Sequence, residues 1–174
     1  MADKFIVPGQ KLTIASIDAD LHVEAQYNPK ELAFQKQVPW TPMVSTVGDD
    51  AAGQLVLNYG GDQSRSLTLE LVFDGFETNE NVQYTVENLE LLGMPRDPQS
   101  RDPEWRRPHR CVVTWGPGNF RPFRCVIESV ATKYTMFGED GTPLRAICTV
   151  ALKEADLLKI AKQENVAARA KRAS

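Results

Sequence analysis

The side chains best suited to covalent, acid–base or metal chemistry in this 174-residue sequence are three cysteines, two histidines and a few clustered carboxylates. Cys111, Cys125 and Cys148 are odd in number and widely spaced, with no CxxC, so neither a disulfide framework nor a zinc site is indicated. Each alternates in phase with apolar neighbours, which reads as a buried thiol acting as a small hydrophobe. A nucleophilic cysteine would need a base and an electropositive setting. Arg110 and Arg124 adjoin Cys111 and Cys125, but successive side chains on a strand point to opposite faces. His22 and His109 have no partner at metal-ligand or triad spacing and read as structural or solvated. Asp18-Ala19-Asp20 could bind a divalent cation, yet without further ligands it marks a solvated turn between two strands. Asp74, Glu77 and Glu80 lack the loop of a calcium hand, and Gly116-Pro117-Gly118 is a turn outside any dinucleotide fingerprint. GxSxG, P-loop and HExxH patterns are absent. No enzyme, metal or cofactor is indicated.

The elements that would carry these residues have a period of two. Leu67, Leu69, Leu71 and Phe73 alternate with Ser66, Thr68, Glu70 and Asp74, interrupted only by Val72. Phe123, Cys125 and Ile127 form a second such run, and Leu144, Ala146, Cys148, Val150 and Leu152 a third. Asp140-Gly141 in a short loop predicts an antiparallel hairpin of 123–137 with 142–153. Shorter strands are predicted at 11–17, 21–27, 32–38, 55–59 and 111–115. Apolar residues on both faces favour an antiparallel β-sandwich or barrel over a single open sheet. Its core should take the Leu67–Phe73 set together with Leu144, Ala146, Cys148 and Val150.

Two segments have helical spacing. Residues 80–92 place Val82, Val86 and Leu89 on one face and stop at Gly93-Met94-Pro95, with Asn79 or Asn81 as cap and Glu80 in the first turn. Residues 154–172 form an amphipathic tail whose basic end, Arg169, Lys171 and Arg172, suits the helix dipole. Between them, residues 95–110 hold four prolines, which excludes helix and inner strand. That stretch should be a loop with too few apolar residues to order itself, and 48–53 is a second loop. The chain therefore divides into a β domain, 1–153, and a basic helical tail, 154–174.

Net charge is −3, which gives no sign of a nucleic-acid partner. No apolar run is long enough for a transmembrane helix, and Phe5-Ile6-Val7 is cut short by Pro8-Gly9, so membrane insertion and secretion are not expected and the protein should be made in the cytoplasm. The charge is segregated. Residues 66–95 carry six acids and no base, while 96–110 carry five arginines against three acids. Such segregation is either a solvated surface or an acidic face of one copy that meets a basic loop of the next. In the second case the contact residues are Glu77 and Glu80 on the acidic side, Arg96, Arg101, Trp105, Arg106 and Arg107 in the loop, and Arg169, Lys171 and Arg172 in the tail. A contact between two different surfaces generates a ring when it closes.

An ordered set of residues runs through the chain: Tyr27-Asn28-Pro29-Lys30-Glu31-Leu32, Trp40, Gly60-Gly61, Arg65 to Asp74, Arg107-Pro108, Val113-Thr114-Trp115-Gly116, Phe120, Lys133 to Phe137, and Asp140-Gly141-Thr142-Pro143-Leu144-Arg145-Ala146. With this set, roughly residues 10–155 resemble the N-terminal domain of the tube-associated proteins of contractile injection systems, phage-tail-like particles that drive an inner tube through a target envelope. The resemblance implies a β fold of phage-tail-tube type with one internal helix. It implies a hexameric ring of copies that adapts the spike, hub and baseplate to the inner tube protein. Many members carry a LysM module after this domain, where this sequence has the basic tail, which implies a short-form tube initiator or hub adaptor. Assembly would take place in the bacterial cytoplasm, within a particle later released or membrane-anchored. A reading of another class is a soluble ligand-binding β-barrel with a pocket lined by Trp40, Trp115 or Tyr134.

Overall fold

Residues 11–45, 54–61 and 64–155 are described by a computed structural model of the chain. The alternating runs become the long strands. In chain order the elements are β1 (Thr13–Ser16), β2 (His22–Glu24), β3 (Ala33–Gln35), β4 (Trp40–Ser45), β5 (Gln54–Tyr59), β6 (Ser66–Asp74), α1 (Gln83–Gly93), α2 (Pro103–Arg106), β7 (Cys111–Thr114), β8 (Phe123–Phe137) and β9 (Pro143–Glu154). The chain is mainly β. Seven strands form one sheet in the order β2-β1-β7-β8-β9-β6-β3, and β4 and β5 form a separate pair. Every pairing is antiparallel.

The sheet curls. In a flat sheet β2 and β6, five strand spacings apart, would be roughly 24 Å from each other. Yet the Gln26 side chain, just after β2, accepts from the Asp74 N–H at 2.6 Å and donates to the Asp74 carbonyl at 2.7 Å at the end of β6. Curling brings Val23 of β2, Leu67 to Phe73 of β6 and the inward residues of β7, β8 and β9 into one core. Leu67, Leu69, Leu71, Phe73, Leu144, Ala146, Cys148 and Val150 are all buried, as the alternation predicts. At β8 the phase switches. Phe123, Cys125 and Ile127 point inward, and after a bulge between Ile127 and Ser129 the inner face passes to Val130 and Tyr134.

The hairpin turn between β8 and β9 forms as Asp140-Gly141 predicts. Gly141 takes φ +84°, and Asp140 accepts from both the N–H and the hydroxyl of Thr142. Helix α1 covers the core with Val86, Leu89 and Leu92. Asn81 accepts from the Gln83 N–H at 2.9 Å, so it serves the start of the helix, whereas Asn79 and Glu80 lie in the turn before it. That turn is tight. A Cβ on Gly75 would stand 2.1 Å from the Glu80 carbonyl oxygen, a contact no other residue tolerates.

Three expectations are corrected. The strand predicted over 32–38 is only Ala33–Gln35. A strand not predicted at all, β4, pairs with β5. The segment 95–110 contains a short helix, α2, because Pro103 stands at its first turn, where its missing N–H costs nothing, and Asp102 caps it by accepting from the Glu104 N–H at 2.9 Å. The predicted loop 48–53 and the tail beyond Ala155 lie outside the described residues.

Candidate functional site

The chemistry-bearing residues are placed first by burial. Cys111, Cys125 and Cys148 lie in the core as free thiols. Burial pushes the Cys111 thiol up to about 12 and raises those of Cys125 and Cys148 as well, which suppresses the reactive thiolate. Among the described residues no three His, Cys, Asp or Glu side chains are grouped to hold a metal.

Folding does bring His109 to the turn that holds Ser16 and Asp18, 93 residues from Ser16 in sequence. Ser16 Oγ lies 2.8 Å from His109 Nδ1 and accepts from the N–H groups of Asp18 and Ala19, each at 3.1 Å. Both acceptor positions of the hydroxyl are therefore used, so its proton goes to Nδ1 and the imidazole proton sits on Nε2. Ser16 is fully buried. A serine whose lone pairs are held by backbone and which no substrate reaches is a turn-stabilising residue, not a nucleophile.

Asp18 corrects the reading of 18–20 as a solvated turn. Its carboxylate accepts a bidentate pair from Arg107, Nη1 at 2.7 Å and Nη2 at 3.0 Å, and the Arg110 N–H at 2.7 Å. Arg96 Nη1 stands 3.8 Å away. Burial alone would raise the Asp18 pKa, but the Arg107 and Arg110 hydrogen bonds outweigh it and hold the carboxyl at about 2. The same pairing raises the Arg107 pKa further above its ordinary value.

This carboxylate anchors the Pro- and Arg-rich segment. Arg96 lies over the Trp105 ring at 4.3 Å, Asp97 N–H donates to the Trp105 carbonyl at 2.8 Å, and Pro95 bridges to Pro108. The loop is thus tied to the domain through charge and backbone hydrogen bonds, which the expectation of too few apolar residues to order it did not include. The expected contact residues divide accordingly. Arg96 and Arg107 turn inward onto Asp18, while Arg101, Trp105 and Arg106 remain exposed. Glu77 and Glu80 are exposed on the turn before α1. Arg169, Lys171 and Arg172 lie outside the described residues. The acidic turn and the basic loop flank an 11-residue helix, so they stand at opposite ends of about 16 Å of helix.

One pH response follows. Burial disfavours the imidazolium of His109, Asp18 favours it, and Arg96 and Arg107 oppose it, so its pKa is lowered from the ordinary 6.5. The unfolded chain then binds the proton first. Stability is full above pH 6.5 and declines as pH falls from there through the lowered value. His109→Asn keeps an acceptor near Nδ1 and removes the titration. Melting midpoints measured from pH 8 to 5 should fall for the parent chain and stay flatter for the variant.

The three aromatics proposed for a ligand pocket are dispersed. Trp40 is exposed and stacks with Tyr59, Trp115 packs near Phe120, and Tyr134 packs near Phe137. A cavity of about 300 Å³ lies between Gln26, Asp74 and Thr85, and one of about 670 Å³ between Tyr27 and Glu70. None of the three lines either cavity. Sequence reading missed an exposed apolar feature, β4–β5, with Trp40, Val44, Leu55, Leu57 and Tyr59 each about half exposed or more. The signal was there: no charged residue occurs between Lys36 and Asp49.

The family profile of the contractile injection system tube protein matches residues 9–163. No curated protein matches the chain. Among solved structures, a chain from the tail of an empty GTA particle with C6 symmetry aligns over 84% of this chain and 91% of its own, with 13% identity and a TM-score of 0.41. A chain of the PVC sheath/tube terminator, from an extracellular contractile injection system in its extended state, aligns over 89% and 96%, with 10% identity and a TM-score of 0.35.

Proposed function

The chain belongs to the contractile injection system tube protein family and is a structural, tube-related component of such a particle; from that premise we propose that its copies form a hexameric ring linking the spike and baseplate hub to the inner tube. One observation carries this reading. The profile match spans all nine described strands and α1, so it covers the body of the domain and not a shared fragment. The arrangement of charge supports it. Glu77 and Glu80 at one end of α1 and Arg101 and Arg106 beyond the other are different surfaces, which suits a head-to-tail contact that closes into a ring. In this reading the partners are identical copies, the inner tube protein, the hub and the baseplate, and the ring assembles in the bacterial cytoplasm.

Complementation of a producing strain that lacks this chain tests the reading. The deletion should leave no tube-bearing particles, and the parent chain should restore them. Arg101→Glu with Arg106→Glu should fail to restore them, although exposed charges contribute only about 0–1 kcal/mol to folding and the melting of the isolated chain stays unchanged. Like charges juxtaposed across a contact can cost several kcal/mol, repeated around a ring. Normal particles from the deletion strain would remove the function. Normal particles from the reversal would remove this loop from the contact. Arg107 is unsuitable for the reversal, because it holds Asp18.

A further inference from the structure

Among the described residues the β4–β5 hairpin pairs only with itself and is not part of the seven-stranded sheet. Its register sets Trp40 against Tyr59, Pro42 against Leu57 and Val44 against Leu55. Side chains of directly opposed residues share a face, and the face repeats every second residue. All six therefore lie on one side, with the Trp40 and Tyr59 rings 5.4 Å apart. Thr41, Met43, Val56 and Asn58 take the other side. The first face is wholly apolar or aromatic. Its members are 49% to 69% exposed where Trp40, Val44, Leu55, Leu57 and Tyr59 are concerned.

Side chains of that size and exposure present on the order of 600 Å², at the top of the range for the largest patch on a monomer and approaching the roughly 800 Å² that each partner buries in a stable complex. Neither strand carries a charged residue. Charge depletion marks the core of an interface. A two-stranded hairpin is marginal alone, so this one needs a cover.

The outer side of α1 offers one. Tyr84 and Leu91 lie two turns apart opposite the buried Val86 and Leu89, 70% and 46% exposed, and Met94 follows at 48%. Hairpin against hairpin would be self-complementary and stop at a dimer, whereas hairpin against helix joins two different surfaces and continues around a ring. We propose that the apolar face of β4–β5 in one copy docks on Tyr84, Leu91 and Met94 of α1 in a second copy. This rests on the tube-component reading, which supplies the identical neighbours.

The test uses the full-length chain. Leu55→Ser with Leu57→Ser, and separately Tyr84→Ser with Leu91→Ser, should each weaken self-association in sedimentation about 100-fold, a tenfold loss per buried contact residue, with unchanged melting. A Leu57→Cys chain mixed with a Leu91→Cys chain and a bismaleimide should give mixed cross-linked dimers, one thioether on each chain; the native thiols are buried and unreactive. Cross-linking of Leu57→Cys chains only to each other would overturn the docking. So would hairpin variants that lower melting and leave association intact, which would put the chain's own termini on the face, or that abolish only flotation with anionic phosphatidylglycerol vesicles, which would make the face a lipid contact. If the deletion strain lacks tubes while hairpin variants restore them, the function stands and the docking falls.

Discussion

Leu69→Ala is expected to lower the unfolding free energy by roughly 2–5 kcal/mol, a large part of the roughly 5–15 kcal/mol that holds a domain of this kind together. Leu69 is 2% exposed and lies opposite Val150 in the β6–β9 ladder, inside the core that the curled sheet encloses. Deleting its isobutyl group removes apolar burial and leaves a cavity that two long strands cannot collapse around. Its neighbour Thr68 faces outward, so Thr68→Ala serves as the control. Urea unfolding should show the midpoint of Leu69→Ala falling at unchanged slope, with Thr68→Ala close to the parent. A loss below about 1 kcal/mol would mean that β6 does not face the core.

Asp18→Asn is the second large effect. The substitution keeps shape and removes charge, so Arg107 loses its bidentate partner and Arg96 its nearby counter-charge. Breaking a fully buried pair costs roughly 3–5 kcal/mol, but with 14% of the Asp18 and 21% of the Arg107 side chain exposed, about 2 kcal/mol is the fitting expectation. The loss should be local in origin. Amide exchange at Asp97 and Trp105, whose backbones bond each other, should accelerate before that of β6 or β9. Combining Asp18→Asn with Arg107→Gln should cost less than the two changes added, since the second removes the charge that the first strands. Equal exchange in parent and variant would show that Asp18 does not order the segment.

Both effects illustrate what was legible in the residues. Leu69 was readable because a half-buried strand writes its inner face into the sequence every second residue. The same holds for β9 and for the Asp140-Gly141 turn. The switch of face in β8 was not readable, because Val126, Ile127 and Val130 are apolar on both sides of the bulge and only pairing with β9 decides which turn inward. The strand β4 was hidden by Pro42, which argues against a central strand but is tolerated in a two-stranded pair. Helix α2 was hidden because four prolines in sixteen residues point to irregular backbone, although a proline in the first turn of a helix costs nothing. Asp18 was the hardest, since its partner lies 89 residues away and nothing in local spacing links a turn carboxylate to an arginine in another loop. The hexameric ring is an expectation from the resemblance alone; segregated charge in the sequence pointed to two complementary surfaces, and the fold added the exposed apolar residues of β4–β5 and α1.

Electron cryo-microscopy of intact particles, with density traced residue by residue at the junction of hub and tube, tests the central claim most directly. The account predicts a ring of this chain between the hub and the first tube layer, with the curled sheet and α1 recognisable in each copy. Density that assigns every ring at that junction to other chains, and places this one nowhere in the particle, would contradict it.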